Sequence, residues 1–231
     1  MQRMPGGGKF FLSWVRSDGA GRVQMLLEGK KDFRVSSISP DGRRLAYEQN
    51  SDETNLDVWT LPLDVTDPDH PKPGKPEPFA HTTANEVQPA FSPDGRWMAF
   101  ASDESGTYEV YVRPFPETAG GGKWQISSGG GKLPVWSRDE KNLFFESLDN
   151  LIMVTGYAVN RESFVAGKPR LWSGQKLTVS TDDANFDVAP DGKTIEALVP
   201  RPVAEESKSS LHVTFLLNFF DELRRQTAQR K

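Results

Sequence analysis

Paired acidic side chains are the residues of this chain whose types and spacing could do chemistry. The pairs are Asp52-Glu53, Asp103-Glu104 and Asp182-Asp183. Two carboxylates held at a fixed separation in a cleft can cleave a glycosidic bond, one as an acid and the other as a base or nucleophile. Most of these pairs, however, lie in polar segments just before predicted strands, where carboxylates are usually solvated. We therefore interpret them first as surface loops.

Other motifs that bind cofactors or perform catalysis are absent from the sequence. There is no Gly-x-Ser-x-Gly nucleophile motif, and the chain has no cysteine for a disulfide, a thiolate metal site or a nucleophile. The histidines His70, His81 and His212 stand far apart, so no short histidine pair predicts a zinc site. The three Gly-Gly-Gly-Lys stretches lead into predicted strands and lack the following Ser or Thr of a phosphate loop. The sequence thus predicts neither a cofactor nor a metal site.

The charge of the chain argues against nucleic acid as a partner. The 231 residues carry a formal net charge of −4, whereas nucleic-acid binders usually present a basic face. The longest apolar cluster, residues 213–220, is interrupted by Thr214 and Asn218, so we expect no membrane span. The apolar run 10–12 is too short for a signal peptide, and the sequence leaves the compartment open.

A phrase of about ten residues recurs four times and predicts the elements that position all of these side chains. Its copies begin at Ile38, Phe91, Trp136 and Val188. Three copies contain a Pro-Asp-Gly turn, formed by Pro40, Asp41, Gly42, Pro93, Asp94, Gly95, Pro190, Asp191 and Gly192. Proline presets φ, aspartate bonds the backbone two residues on, and glycine accepts positive φ. We therefore interpret these nine residues as structural hairpin turns between apolar strands.

The spacing of the copies predicts the fold. Their starts are 53, 45 and 52 residues apart, which is the repeat length of propeller blades. We expect an all-β protein, a β-propeller of about four to five four-stranded antiparallel blades in a single domain, 1–231. The predicted units are a partial blade (10–27), three full blades (34–80, 87–127 and 133–173), a final blade (185–220) and a tail (221–231). Terminal strands could close the ring, or the chain could form an open arc.

The repeated phrase also resembles a known family. A Ser-Pro-Asp-Gly turn followed by a small residue inside an apolar strand is similar to the WD-repeat-like propellers of the TolB type. Segments 91–100, 102–106, 108–116 and 123–127 look most like the C-terminal, sensor-like propellers of bacterial, acidobacterial-type serine/threonine protein kinases. The resemblance spans residues 10–220 and implies a periplasmic or extracellular fragment of a larger protein. It brings no catalytic residue, and the third repeat departs from it with Arg138-Asp139-Glu140.

The expected function is binding rather than catalysis. Propeller ligands commonly use the loops and channel at one end of the ring, so the candidate ligand-binding residues are those that lead into each first strand: Arg34, Asn85, Glu86, Gln88, Lys132 and Asn185. The expected ligand is a protein, a peptide or a glycan. One alternative is a hydrolase or lyase in which carboxylates such as Glu86 and Asp183 converge on the axis. Another is a scaffold, a homo-oligomer assembled through an unpaired blade edge.

Overall fold

The structure is a computed structural model that describes residues 9–52, 54–116, 121–160, 163–179 and 184–200. Several sequence predictions lie outside these residues: Glu53, Asp182, Asp183, the third strand of the final blade (212–216) and the tail (221–231). The regular elements of the described residues are all β-strands. Accordingly, no helix that could cross a membrane occurs in this part of the chain.

Five antiparallel sheets follow one another along the described residues. The first pairs β1 (Phe10–Trp14) with β2 (Gln24–Gly29). The second contains β3 (Phe33–Ile38), β4 (Arg44–Ser51), β5 (Asn55–Asp64), β6 (Lys72–Pro73) and β7 (Glu77–Ala80). The third contains β8 (Glu86–Phe91), β9 (Trp97–Ser102), β10 (Glu109–Pro114) and β11 (Trp124–Gln125). The fourth contains β12 (Lys132–Trp136), β13 (Asn142–Glu146), β14 (Ile152–Asn160), β15 (Ser163–Ala166) and β16 (Arg170–Ser173), and the fifth pairs β17 (Phe186–Val188) with β18 (Ile195–Ala197).

The second, third and fourth sheets have the strand order of propeller blades. In each of them four strands run up and down next to their sequence neighbours, as in β8-β9-β10-β11. Two short strands extend this plan, since β6 pairs with the end of β5 and β15 pairs with the end of β14. The prediction of an all-β propeller with four-stranded antiparallel blades is confirmed.

Each of the first three hairpin turns is built around a serine that precedes the Pro-Asp-Gly or equivalent triplet. In the first turn Ser39 Oγ donates to Asp41 Oδ1 at 2.6 Å and accepts the backbone N–H of Arg44 at 2.9 Å. The backbone N–H of Gly42 donates to Ser39 O at 2.8 Å, with Gly42 at φ 71°. The serine therefore joins the aspartate to the first residue of the next strand.

The other turns vary this pattern in an informative way. Ser92 and Ser137 repeat the bond to aspartate, each at 2.6 Å. In the third turn Glu140 occupies the glycine position and still adopts φ 58°. In the fourth turn Ala189 replaces serine, and Asp191 accepts both the backbone N–H and the hydroxyl of Thr194 at 2.9 Å. The turn geometry thus survives the loss of either the glycine or the serine.

Most of the second strand of each full blade is buried because it lies between two neighbouring sheets. Every residue of β9 is buried. Met98 and Phe100 pack in a core with Val58 of the second sheet. Trp97 and Ala99, on the opposite face, pack in a core with residues of the fourth sheet, including Phe145. Successive residues of a strand point to opposite faces, so one strand contributes to two cores, at about 1.5–3 kcal/mol for each fully buried large side chain.

Candidate ligand-binding site

Four of the five sheets contribute residues to the wall of one cavity of about 1110 Å³. Its wall is formed by parts of β1, β2, β3, β4, β8 and β12, together with Ala184 just before β17. Five of the described lining residues have polar side chains, and all the others are apolar. A largely apolar concave site with a few convergent polar groups is the usual setting for a bound ligand. This cavity is therefore the candidate site.

The first two sheets present large apolar side chains to the cavity. These residues are Phe11, Val23, Met25 and Val35, and each is 46% to 68% exposed. Leu26, the neighbour of Met25 on β2, points the other way and packs in a core with Leu45 and Tyr47. Exposed apolar side chains that stand singly are ordinary, but a group that lines one concavity marks a binding surface.

A chain of hydrogen bonds crosses the wall from the second sheet to the fourth. Glu48 Oε1 on β4 accepts the backbone N–H of Gln88 on β8 at 2.6 Å. Gln88 Oε1 in turn accepts the backbone N–H of Leu133 on β12 at 2.9 Å. Both donors lie at bulges and have positive φ, 57° at Gln88 and 51° at Leu133. We call Glu48, Gln88 and Leu133 the wall relay.

Two of the predicted ligand-binding residues, Arg34 and Gln88, line the cavity. Arg34 lies directly opposite Glu48 in the β3–β4 register. Lys132 has the matching position in the fourth sheet, opposite Glu146, but it is not among the lining residues. Lys132 Nζ lies instead 5.0 Å from the centre of the Tyr108 ring.

Asn85 and Glu86 tie a loop to the third sheet and are not part of the cavity wall. Asn85 Nδ2 donates to Asp103 Oδ2 at 2.7 Å. Glu86 is buried and accepts the hydroxyl and, at 3.3 Å, the backbone N–H of Thr82. Burial raises the pKa of Glu86; the Thr82 bonds act against the shift, whereas the negative charges of Asp57 and Glu104 add to it. These side chains satisfy one another within the protein.

Asn185 has a similar role between the fourth and fifth sheets. Its Nδ2 donates to Glu146 Oε1 at 3.2 Å, to Glu146 Oε2 at 3.1 Å and to Thr178 O at 3.0 Å. Burial raises the pKa of Glu146, while the bond from Asn185 and the charge of Lys132 oppose the shift. Asn185 does not line the cavity, so the six candidates do not form a single cluster around it.

Buried carboxylates on the third strands explain one glycine-rich stretch and one histidine. Glu109 on β10 accepts the hydroxyl of Ser127 and the backbone N–H groups of Gly129 and Gly130, both at 2.9 Å. Asp57, at the equivalent place on β5, lies 2.9 Å from His81 Nδ1. The loop therefore binds a carboxylate of the protein itself. No group of three or more acidic or histidine side chains in the described ranges could hold a metal ion.

Sequence reasoning did not identify Glu48 as part of the site. The sequence did contain one signal, because Glu48 and Glu146 both follow three apolar residues of a second strand, where the second repeat has Ala101. A charged residue directly after an apolar run of a strand indicates a position where a side chain needs a polar partner. The apolar lining residues gave no such signal, because Phe11 and Met25 look like core residues in a sequence.

Comparisons with known proteins agree with the fold and leave the family open. No family model matches the chain. The chain is 35% identical over 99 residues to Protein HIR1 of Chaetomium globosum, and 30% identical over 108 residues to the uncharacterized peptidase YuxL of Bacillus subtilis. These matches cover 40% and 46% of the chain but only 8% and 16% of the two relatives.

Solved structures are similar over a larger part of the chain. A candidate 6-phosphogluconolactonase from Bacteroides uniformis has a TM-score of 0.50 at 17% identity, over 82% of this chain and 57% of its own. TolB from Acinetobacter baumannii has a TM-score of 0.34 at 15% identity, over 80% of this chain and 58% of its own. The chain thus spans a little over half of these structures, and the likeness concerns the fold alone.

Proposed function

We propose that this protein is a non-enzymatic interaction module that binds a protein or peptide segment in its central cavity. The observation that carries the proposal is the group of half-exposed apolar side chains, Phe11, Val23, Met25 and Val35, around one cavity of about 1110 Å³. Burial of apolar surface is the main favourable contribution to such binding.

The composition of the wall favours a peptide over a glycan. Sugars need many hydrogen-bonding groups, and most of the lining side chains are apolar. Arg34 and Glu48 are the charged side chains among the described lining residues, and they stand opposite each other in the register. Their charges offset, so the wall attracts neither a strongly acidic nor a strongly basic ligand. Titration with an oligosaccharide detects binding of a glycan in place of a peptide.

The closer resemblance, to propellers of bacterial serine/threonine kinases, suggests what the binding would be for. In that setting the chain is the sensor-like part of a longer protein, and ligand binding in the cavity is the signal. The scaffold alternative uses the same surfaces differently, with a second copy covering an open blade edge. Light scattering of the purified chain at several concentrations separates the two, because only the scaffold predicts an increase in mass.

A matched pair of variants tests binding in the cavity. Val35 lines the cavity and is 52% exposed, whereas Val165 on β15 is 56% exposed and is not among the lining residues. We expect peptides selected from a displayed library of random dodecamers to bind the protein. Val35→Asp should weaken that binding at least tenfold, and Val165→Asp should leave it within twofold. No enrichment, or equal effects of the two variants, would contradict the proposal.

The hydrolase alternative has its own test. Glu86 is a buried carboxyl whose pKa is raised by burial, which is a property of catalytic acids, but it is bonded to Thr82 and lies outside the described cavity wall. A panel of glycoside, lactone and ester substrates should give no turnover above background. Turnover that Glu86→Gln abolishes would replace the binding proposal with an enzymatic one.

A further inference from the structure

We infer that the cavity takes up the apolar side chains of a peptide and does not pair with the peptide backbone. This inference rests on the proposed function and specifies the recognition chemistry of the same site. Its alternative is strand addition, in which a peptide extends a sheet through main-chain hydrogen bonds and its side chains only adjust specificity. The two modes need different groups on the strands that form the wall.

The wall relay uses two backbone donors of those strands. The N–H of Gln88 donates to Glu48 Oε1 and the N–H of Leu133 donates to Gln88 Oε1. A third donor, the N–H of Phe91 on β8, is bound by Ser37 Oγ at 3.1 Å. Each of these bonds runs from one sheet to the preceding one. These amides are therefore engaged before any ligand arrives.

Proline occupies the next position on both bulged strands. Pro89 follows Gln88 and Pro134 follows Leu133, and both prolines line the cavity. Proline has no backbone N–H and cannot donate to a paired strand. Two consecutive positions of β8, and the equivalent two of β12, thus offer the ligand no free amide donor. The carbonyl groups of a peptide backbone would find no partner there.

Because the amides of β8 and β12 at these positions are already hydrogen-bonded or absent, they favour burial of a peptide's side chains over burial of its backbone. A backbone carbonyl that leaves water without a new hydrogen bond weakens binding, whereas an apolar side chain strengthens it. The half-exposed Val35 and Met25 are the surfaces that such side chains would cover. Recognition then depends on the size and apolar character of the ligand's side chains, with its backbone left in solvent at the cavity mouth.

The experiment compares peptides that differ in one property at a time. The reference probe is an acetylated, C-terminally amidated Gly-Leu-Phe-Leu-Gly pentapeptide. The second probe carries N-methyl groups on its three central amides, which removes the donors needed for strand addition. The third replaces the three central residues with serine, and the fourth is a cello-oligosaccharide of five units. Each is titrated calorimetrically into the full chain and into the Val35→Asp and Val165→Asp variants.

We expect the N-methylated probe to bind within threefold of the reference. The serine probe should bind at least tenfold more weakly, and Val35→Asp should reduce affinity at least tenfold while Val165→Asp does not. Loss of binding on N-methylation would overturn the inference in favour of strand addition, and so would binding of the oligosaccharide in place of the peptide. Both of those results leave a binding module intact. Absence of binding by the reference probe overturns the inference, whereas selected peptides insensitive to Val35→Asp overturn the proposed function itself.

Discussion

The carboxylate of Glu48 accepts the backbone N–H of Gln88 across the boundary between two blades, with 2.6 Å between Oε1 and N. Gln88 adopts φ 57°, a left-handed conformation that non-glycine residues rarely occupy. The bond that this amide donates to a buried carboxylate offsets part of the cost of the conformation. The wall of the cavity and the joint between two blades are therefore the same structure.

Removal of the Glu48 carboxylate should destabilise the fold. Glu48→Ala leaves the N–H of Gln88 without its acceptor, and we expect a loss of about 2 kcal/mol in the free energy of unfolding. Glu28→Ala is the control, because Glu28 is an exposed strand residue that pairs with Lys9 at the surface and should cost less than about 1 kcal/mol. Urea denaturation of both variants measures the difference. Equal losses would show that the Glu48 bond contributes nothing particular.

Loss of the serine in the repeated turn should destabilise the fold. Ser92 Oγ donates to Asp94 and accepts the backbone N–H of Trp97 at 2.9 Å, so Ser92→Ala removes two bonds in a buried place. We expect a loss of about 1–2 kcal/mol, against less than about 0.5 kcal/mol for Ser105→Ala on the surface. Thermal unfolding of the two variants tests this. A Ser92→Ala protein as stable as the parent would contradict this prediction. It would mean that a turn with alanine in place of serine, as at Ala189, is equally stable.

The sequence predicted the repeating part of this fold because its signals are local. Turn residues such as Asp41 and Gly42 act on their own neighbours, and apolar runs such as those of β9 report burial directly. The wall relay could not be predicted in the same way. The positive φ of Leu133 depends on an acceptor, Gln88, that is 45 residues away in sequence and belongs to another blade.

The ligand-binding candidates show the same limit. Position near the start of a first strand selected Arg34 and Gln88, which line the cavity, but also Asn85 and Asn185, which bind the protein's own carboxylates. In a sequence, a polar residue near the start of a strand looks the same whether it binds a ligand or a carboxylate of the protein itself. The two roles differ only in where a partner lies, and for Asn185 that partner is Glu146, 39 residues away.

Acid should weaken the fold partly through the turn aspartates. Burial acts to raise the pKa of Asp94, but hydrogen bonds from Ser92 and Arg96 outweigh it, so the pKa lies below its usual value. A folded pKa below the unfolded value of about 3.9 means that Asp94 contributes stability above about pH 4 and loses it as the pH falls through the folded pKa. Asp94→Asn should therefore give a shallower decline of unfolding free energy between about pH 4 and pH 2. Parallel curves for the parent and the variant would contradict this assignment.

The β14–β15 hairpin should join two blades through a single ring. Phe164 on β15 is buried, with its ring centre 5.3 Å from that of Trp97 on β9 and 5.2 Å from that of Tyr157 on β14. Phe164→Ala should cost about 3–5 kcal/mol, because it leaves a cavity among aromatic side chains of the third and fourth sheets. Val165→Ala, the next residue on the exposed face, should cost less than about 0.5 kcal/mol. Chemical denaturation followed by tryptophan fluorescence measures both, and Phe164→Leu supplies a milder variant if the alanine protein does not fold. A loss below about 1 kcal/mol in both Phe164 variants would contradict this prediction. It would show that the hairpin does not stabilise the contact between the third and fourth sheets.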